Sequence, residues 1–239
     1  MTEFKSVPVL SMQQAPNQDV ICRLNEARLS VNLMPGQYVV LRNSNAVEAE
    51  ARAYVLSTDI DQQFVDLFIP QKHAQNLPPS LKTLSISQAL GSAFSLTTEL
   101  QRPLLLADEA GLPAIIFLAQ KMRLMNDSVQ PLVILSSKHA FPFTAKPSQF
   151  VMPTFPAGVI ASCPLLEDKK IPSRLLSEDF LPGCYEGSLV DFLHEWLSAY
   201  LEASEYPPEL FLCGNNEFVE KVNAVSSQHR LQTQFVEVI

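Results

Sequence analysis

The sequence predicts a two-domain α+β protein, in which a small antiparallel β-barrel is followed by a doubly wound α/β domain. Short strand-like segments recur about every ten residues through the first part of the chain, with hardly any helical periodicity. After residue 102, strand-like and helix-like segments alternate instead. The change falls at residues 103–119, where an unbroken apolar run leads through a short turn into an apolar helix.

The barrel prediction depends on six segments that combine β-branched, aromatic and other apolar residues. They cover residues 8–12, 20–24, 37–41, 52–57, 64–69 and 84–86. A weakly alternating segment at 28–33 would make a seventh strand. Polar or Pro-Gly turns at 15–18 and 35–36 separate the first of these strands.

The stretch at 103–119 is the centre of the predicted α/β domain. Its turn contains the carboxylates Asp108 and Glu109 together with Gly111. Pro113 falls in the first turn of the following helix, where a missing N–H costs nothing. Ligands of open α/β sheets bind at the carboxyl ends of the strands, so we expect this turn to face a ligand.

The rest of the α/β domain follows the same alternation. Strands are predicted at 132–135, 159–163, 210–213 and 233–239, with an irregular Pro-rich stretch at 141–157. One helix is predicted to start after Ser188, whose side chain can cap it, and another to cover 217–226. The predicted boundary at 98–102 divides the chain into domains 1–100 and 101–239.

Composition is typical of a soluble globular protein and excludes several classes. The chain has 239 residues, 47% of them hydrophobic, and no uninterrupted apolar window long enough for a membrane span. No signal peptide is visible at the N-terminus, and the four cysteines lack disulfide or metal spacing, which favours reduced thiols in a cytoplasmic protein. The four histidines also lack metal-ligand spacing. Seven of the eight excess negative charges lie after residue 98, which argues against nucleic acid as a partner.

Four motifs, in order along the chain, resemble landmarks of the ferredoxin–NADP reductase superfamily. They are residues 35–39, 52–54, 88–94 and 212–214, so the resemblance covers essentially the whole chain. It implies a barrel domain that holds FAD or FMN and a Rossmann-like α/β domain that binds NAD(P)H. The central turn, residues 107–115, is similar at six of nine positions to the Gly-Asp-Glu-Thr-Ala-Leu-Pro-Ala-Ile stretch of siderophore-interacting ferric reductases. The C-terminal Tyr-Trp-Arg signature of that subfamily is absent.

The resemblance also implies the residues of the flavin site. Tyr54 would pack on the isoalloxazine and Arg52 would meet a phosphate, whereas Val55 replaces the hydroxyl of the family motif. Losing that hydrogen bond costs roughly 0.5–1.5 kcal/mol, which weakens flavin binding without preventing it. The flavin-phosphate loop should fall near 71–78, where the chain has no glycine and Lys72 is the available charge.

On the nicotinamide side, the resemblance carries over to Gly111, Cys213 and Gly214. Asp108 and Glu109 would repel a dinucleotide phosphate unless they point away or are paired. Lys138, after the second α/β strand, is a candidate cation for a 2′-phosphate. The chain has only seven glycines, and the shortage falls on the phosphate-binding turns, which leaves loss of the cofactor open.

Two functions of different classes follow. The first is a flavin-dependent oxidoreductase that passes electrons from NAD(P)H through FAD to a ferric chelate or a partner protein. The alternative is a cofactor-poor relative of the same fold that acts as a binding or interaction module, because fold alone does not decide function. The motifs assign no catalytic residue and no metal ligand in either case.

Overall fold

The first part of the chain closes into a six-stranded antiparallel barrel. In the computed structural model, residues 3–26, 32–43, 46–59, 63–78, 81–96, 102–204 and 206–238 are described. The barrel strands are β1 (Phe4–Gln14), β2 (Val20–Asn25), β3 (Tyr38–Asn43), β4 (Ala46–Asp59), β5 (Phe64–Ile69) and β6 (Thr83–Ser87). They close in the order β1-β2-β5-β4-β3-β6. All six predicted strand segments are confirmed, and the candidate at 28–33 falls largely outside the described residues.

The barrel closes because alternate side chains of its strands form one apolar interior. This interior includes Val7, Leu24, Val39, Leu41, Ala53, Val55, Leu67 and Ile86, each at most 2% exposed. Val55 therefore packs inside the barrel, whereas its neighbour Tyr54 belongs to a different cluster on the outer face.

The second part forms a six-stranded parallel sheet with helices on both faces. Its strands are β7 (Leu104–Ala107), β8 (Leu132–Ser137), β11 (Ser173–Ser177), β12 (Tyr185–Glu186), β13 (Leu210–Gly214) and β14 (Thr233–Glu237), in the order β12-β11-β8-β7-β13-β14. Between β8 and β11, the short strands β9 (Lys146–Pro147) and β10 (Ala161–Ser162) form a separate antiparallel pair. The described part of the chain includes the helices α1 (Gln71–Ala74), α2 (Leu112–Met125), α3 (Pro164–Glu167), α4 (Leu189–Glu202) and α5 (Asn216–Gln228). The predicted order, a barrel followed by a doubly wound α/β domain, is confirmed.

The central strand β7 explains why the sheet is covered on both sides. Its side chains alternate, so that Leu105 and Ala107 pack with α2 on one face, while Leu104 and Leu106 pack with α4 and α5 on the other. The cluster on the α2 side of the sheet also includes residues of the barrel, such as Tyr54 and Phe68. Helix α2 packs against β4, and its Lys121 donates a hydrogen bond of 2.9 Å from Nζ to the carbonyl of Leu33.

The prediction of a third parallel strand at 159–163 is wrong. Within that segment only the two residues of β10 are strand, and they pair antiparallel with β9. The strand beside β8 is β11, which contains Ser173, Arg174 and Ser177 and so lacks an apolar run. Arg174 is nevertheless buried, because it donates from Nη1 to the carbonyl of Ser173 and from Nη2 to that of Phe150, at 2.7 and 2.6 Å.

The strand order reverses between β7 and β13. From β7 the chain builds outward through β8, β11 and β12, then crosses back to place β13 on the other side of β7. In doubly wound sheets, such a switch point opens a crevice at the carboxyl ends of the two strands. The predicted domain boundary, 98–102, lies outside the described residues except for residue 102. Among the helices of the described part, none has the length and apolarity needed to cross a membrane.

Candidate functional site at the switch point of the sheet

A cleft of about 920 Å³ lies between the outer face of the barrel and the carboxyl ends of the sheet strands. Residues from both parts of the chain line it. The barrel contributes Asp19, Tyr54, Phe68, Pro70, Lys72 and His73, and the α/β part contributes, among others, Asp108, Glu109, Ser136, Ser137, Lys138, Asp191, Asn215, Glu217, Lys221 and Val238. This volume is typical of pockets that hold a small molecule.

Tyr54 forms the apolar centre of the barrel wall. On β4 it stands opposite Tyr38 of β3 and Phe68 of β5, and the ring centroids of the two tyrosines are 6.1 Å apart. Only 5% of Tyr54 is exposed, and burial raises the pKa of its hydroxyl to about 12. The predicted flavin-contacting tyrosine therefore lines the cleft with a small part of its surface.

Three basic side chains stand beside Tyr54. The guanidinium carbon of Arg52 lies 4.4 Å from the ring centroid of Tyr38, a cation–π contact, and Arg52 itself does not line the cleft. Burial lowers the pKa of His73, and the charges of Lys72 and Arg52 lower it further. Lys72 and His73 line the cleft and form what we call its basic corner, the side suited to an anion.

The predicted flavin-phosphate segment, 71–78, begins with the single-turn helix α1. The backbone N–H of Gln71 donates to Oδ1 of Asp19 at 2.8 Å, and the N–H groups of His73 and Ala74 donate to the carbonyl of Pro70. The segment therefore offers a phosphate its side chains rather than free backbone donors.

The carboxylate of Asp108 joins the starts of two long helices. Its Oδ1 accepts from the backbone N–H groups of Ala110 and Gly111, at 3.0 and 3.1 Å, just before α2. Its Oδ2 accepts from the backbone N–H and the side-chain amide of Asn215, at 2.9 and 2.6 Å. Asn215 is the N-cap of α5, because its Oδ1 accepts from the N–H of Phe218 at 2.9 Å. One side chain thus takes four donors at the switch point.

Solved structures share this architecture at low sequence identity, although no known family model and no curated protein sequence matches the chain. A ferredoxin reductase of carbazole 1,9a-dioxygenase superposes with a TM-score of 0.73 at 13% identity, over 100% of this chain and 70% of that one. A ferredoxin NADP⁺ reductase from Neisseria gonorrhoeae, solved with bound FAD and NADP, gives 0.67 at 12% identity over 98% of both chains. A cytochrome P450 reductase from Amycolatopsis gives 0.64 at 14% identity, over 100% of this chain and 72% of that one.

The chain has the ferredoxin–NADP reductase fold. The superfamily resemblance of the four motifs is confirmed at the level of architecture, and the narrower likeness of residues 107–115 to siderophore-interacting reductases stays a prediction.

Within the ferredoxin–NADP reductase fold, Gly111, Cys213 and Gly214 lie together at the switch point, and none of the three lines the cleft. Their role in nicotinamide binding stays a prediction. A Cβ on Gly111 would lie 1.9 Å from the carbonyl oxygen of Cys213, and a Cβ on Gly214 would lie 2.7 Å from Cγ of Asp108. Glycines of nucleotide-binding turns let a ligand approach the backbone. Here the chain itself fills the space beside both glycines.

Glu109 turns away from the two helix starts. It accepts a hydrogen bond from the backbone N–H of Lys138 and lies near the imidazole of His139. Burial raises the pKa of Glu109, as it does that of Asp108, where hydrogen bonds from Asn215, Gly111 and Ala110 oppose the rise. The two adjacent carboxylates therefore accept hydrogen bonds from different elements. Asp108 accepts them at the starts of α2 and α5, and Glu109 accepts one at the end of β8.

The cleft as a whole is acidic. Six carboxylates line it, those of Asp19, Asp108, Glu109, Glu178, Asp191 and Glu217, against the three lysines Lys72, Lys138 and Lys221. Lys221 is paired with Glu217 at 2.6 Å, one helical turn apart on α5. Sequence reasoning missed Asp19, Asp191 and Lys221 as lining residues. The i,i+4 spacing of Glu217 and Lys221 signals a helix pair but not its position in a cleft.

All four cysteines are free, and Cys213, at the centre of the switch point, is fully buried. Burial and, to a lesser extent, the carboxylate of Asp108 raise the pKa of its thiol, so it is a neutral packing residue. Within the described residues, no group of three or more histidines, cysteines or carboxylates could hold a metal ion.

Proposed function

We propose that the chain is a flavin-dependent oxidoreductase that passes electrons from NAD(P)H through FAD to a small-molecule or protein acceptor. One observation carries the proposal, the cleft in which Tyr54 of the barrel faces the carboxyl ends of β7, β8 and β13. In a flavoenzyme of this fold, such a cleft holds the flavin and the nicotinamide side by side, and the flavin supplies the hydride and electron chemistry. A reductase of the same fold was solved with both cofactors bound, which supports this choice.

The barrel wall, within predicted domain 1–100, would hold FAD. Tyr54 would contact the isoalloxazine, and the basic corner would hold the flavin phosphates through the charge of Lys72 and the imidazole N–H of His73. Arg52, which does not line the cleft, would meet a phosphate only after its side chain had turned towards the cleft. Because Val55 points into the barrel, it takes no part in this contact.

The sheet wall, within predicted domain 101–239, would hold NAD(P)H. Gly111, Cys213 and Gly214 are buried behind this wall, and Lys138 with the neighbouring hydroxyls of Ser136 and Ser137 lines the cleft at the end of β8. The choice of a ferric chelate as electron acceptor rests on the resemblance of residues 107–115 alone, and a cytoplasmic location rests on composition.

Flavin uptake is the first test. We expect the purified chain to absorb near 450 nm, directly or after incubation with FAD, and to oxidise NAD(P)H when a ferric chelate is added. Tyr54→Ala should weaken FAD binding about tenfold, because it removes a large apolar contact, whereas Tyr54→Phe keeps the ring and should bind FAD normally. Tyr206→Ala is the matched control, because Tyr206 is 66% exposed and does not line the cleft. Equal FAD affinity in all four proteins would count against the site.

A cofactor-poor binding module is the second candidate function. It is favoured by the two aspartates that already accept backbone N–H groups at helix starts in the cleft, Asp19 at α1 and Asp108 at α2 and α5. If the correctly folded chain binds neither FAD nor NAD(P)H, the binding module replaces the oxidoreductase as the proposed function.

A further inference from the structure

The inference concerns the anion position at the switch point and rests on the proposed use of NAD(P)H. In doubly wound folds the pyrophosphate of a dinucleotide binds at a helix start in this crevice, where backbone N–H groups and the helix dipole favour negative charge. We propose that the carboxylate of Asp108 is an internal competitor for that phosphate, so that NAD(P)H binds weakly unless Asp108 is displaced.

The hydrogen bonds of Asp108 are those that a phosphate would make. The carboxylate accepts from the N–H groups of Ala110 and Gly111 before α2 and from two donors of Asn215 at the start of α5, all within 3.1 Å. An oxyanion ligand needs such donors, and each donor bonded to Asp108 is lost to the ligand. Asp108 therefore places a negative charge at both helix starts and takes the donors that directly precede them.

The space at this point is also taken. A Cβ on Gly214 would lie 2.5 Å from Cδ1 of Phe218 and 2.7 Å from the carboxyl carbon of Asp108. A phosphate group could approach Gly214 only after Asp108 had moved and the ring of Phe218 had shifted. Side chains of the protein itself therefore occupy the space that a nucleotide-binding glycine would leave for the ligand.

Charge acts in the same direction. Glu109 and Glu217 also line the cleft, and Lys221 is already paired with Glu217. Lys138 is the lysine whose charge acts on Asp108, where it favours the carboxylate. An approaching phosphate therefore meets repulsion from carboxylates at the point where the fold would otherwise attract it.

The test measures binding of NADPH to the full-length chain by calorimetry, which needs neither flavin nor turnover. Asp108→Ala frees the donors and removes the charge, so we expect NADPH to bind at least tenfold more tightly than to the unmodified chain. Asp108→Asn keeps the shape and one acceptor oxygen while it removes the charge and the second acceptor, so its affinity should lie between the two. The matched control is Glu220→Gln, which removes an exposed carboxylate of α5 that does not line the cleft, and it should change the affinity less than threefold.

Three results would overturn the proposal: micromolar binding by the unmodified chain that weakens in Asp108→Ala, equal binding by both, or no binding by either. Inorganic pyrophosphate gives an independent readout, because it should raise the melting temperature of Asp108→Ala and leave that of the unmodified chain unchanged. If the alanine variant does not fold, the asparagine variant decides. Failure of the proposed function is separate, since an absence of flavin uptake or turnover leaves the NADPH titration interpretable.

Discussion

Each wall of the cleft has an aspartate that accepts backbone N–H groups at a helix start, but the two aspartates accept different numbers of them. On the barrel wall, the carboxylate of Asp19 accepts one backbone N–H at the start of a helix, that of Gln71. On the sheet wall, Asp108 accepts from three backbone N–H groups and one side-chain amide at the starts of two helices. The barrel wall keeps its basic corner facing the cleft, whereas the sheet wall has its anion position filled by the chain.

The difference follows from the elements behind each wall. Helix α1 has a single turn, so it offers few donors and little dipole, and an anion there depends on the side chains of Lys72 and His73. Helices α2 and α5 are three to four turns long and start beside neighbouring strands, so their donors converge on one point. The anion position on the barrel wall therefore stays open and depends on basic side chains. The anion position on the sheet wall is occupied by one carboxylate of the chain itself.

The comparison predicts its largest effect at Gly111. Gly111→Ala places a methyl group 1.9 Å from the backbone oxygen of Cys213, so the start of α2 must move away from β13. We expect a loss of about 3 kcal/mol or more in the free energy of unfolding. On the barrel wall, Ala74→Gly removes a methyl group from α1 and should cost only about 1 kcal/mol. Urea denaturation of both variants measures this difference. Equal losses in the free energy of unfolding would mean that the two walls tolerate substitution equally well.

The second prediction concerns the burial of Tyr54. Burial raises the pKa of this hydroxyl from about 10 to about 12, so the folded state resists ionisation that the unfolded chain accepts. The stability contributed by the neutral phenol is fully present below pH ~10 and is lost as the pH rises towards ~12, on the order of 2–3 kcal/mol.

Tyr54→Phe has no group to ionise, so its free energy of unfolding should fall less between pH 9 and pH 12 than that of the unmodified chain. Tyr206→Phe, at an exposed site, is the control and should follow the unmodified chain. A Tyr54 phenolate that forms near pH 10, followed by absorbance, would contradict the burial of the barrel wall.

The smallest expected effects separate the two aspartates. Asp108→Ala leaves the N–H of Ala110 and both donors of Asn215 without their acceptor, whereas Gly111 keeps its bond to the carbonyl of residue 108, and should lower the free energy of unfolding by about 2 kcal/mol. Asp19→Ala removes the acceptor of one backbone N–H of α1 and of the Asn17 amide, and should cost about 1 kcal/mol. Thermal unfolding of both variants at pH 7 measures the difference. A larger loss for Asp19→Ala would reverse the ranking of the two walls.

Local patterns in the sequence determined most of the architecture. The six barrel strands, the strand at 104–107 and the helix that follows it are readable because apolar periodicity and turn residues act over a few positions. The helix start at Ser188 is local in the same way, and its Oγ accepts from the N–H of Asp191 at 3.2 Å, as the capping pattern predicts. The acidic turn at Asp108 and Glu109 could likewise be placed at a strand end.

Tertiary structure decided the strand β11 and the state of the site. Strand β11 has no apolar run, because it contains buried polar residues such as Arg174. The burial of Arg174 could not be predicted, since its hydrogen-bond partner, the carbonyl of Phe150, lies on a distant segment. Asp108 meets Asn215 across 107 positions and Asp19 meets Gln71 across 52. Whether a carboxylate at a strand end faces a ligand or fills a helix start depends on which strand lies beside it. That neighbour is set by the order of strands in the sheet, which no local pattern contains.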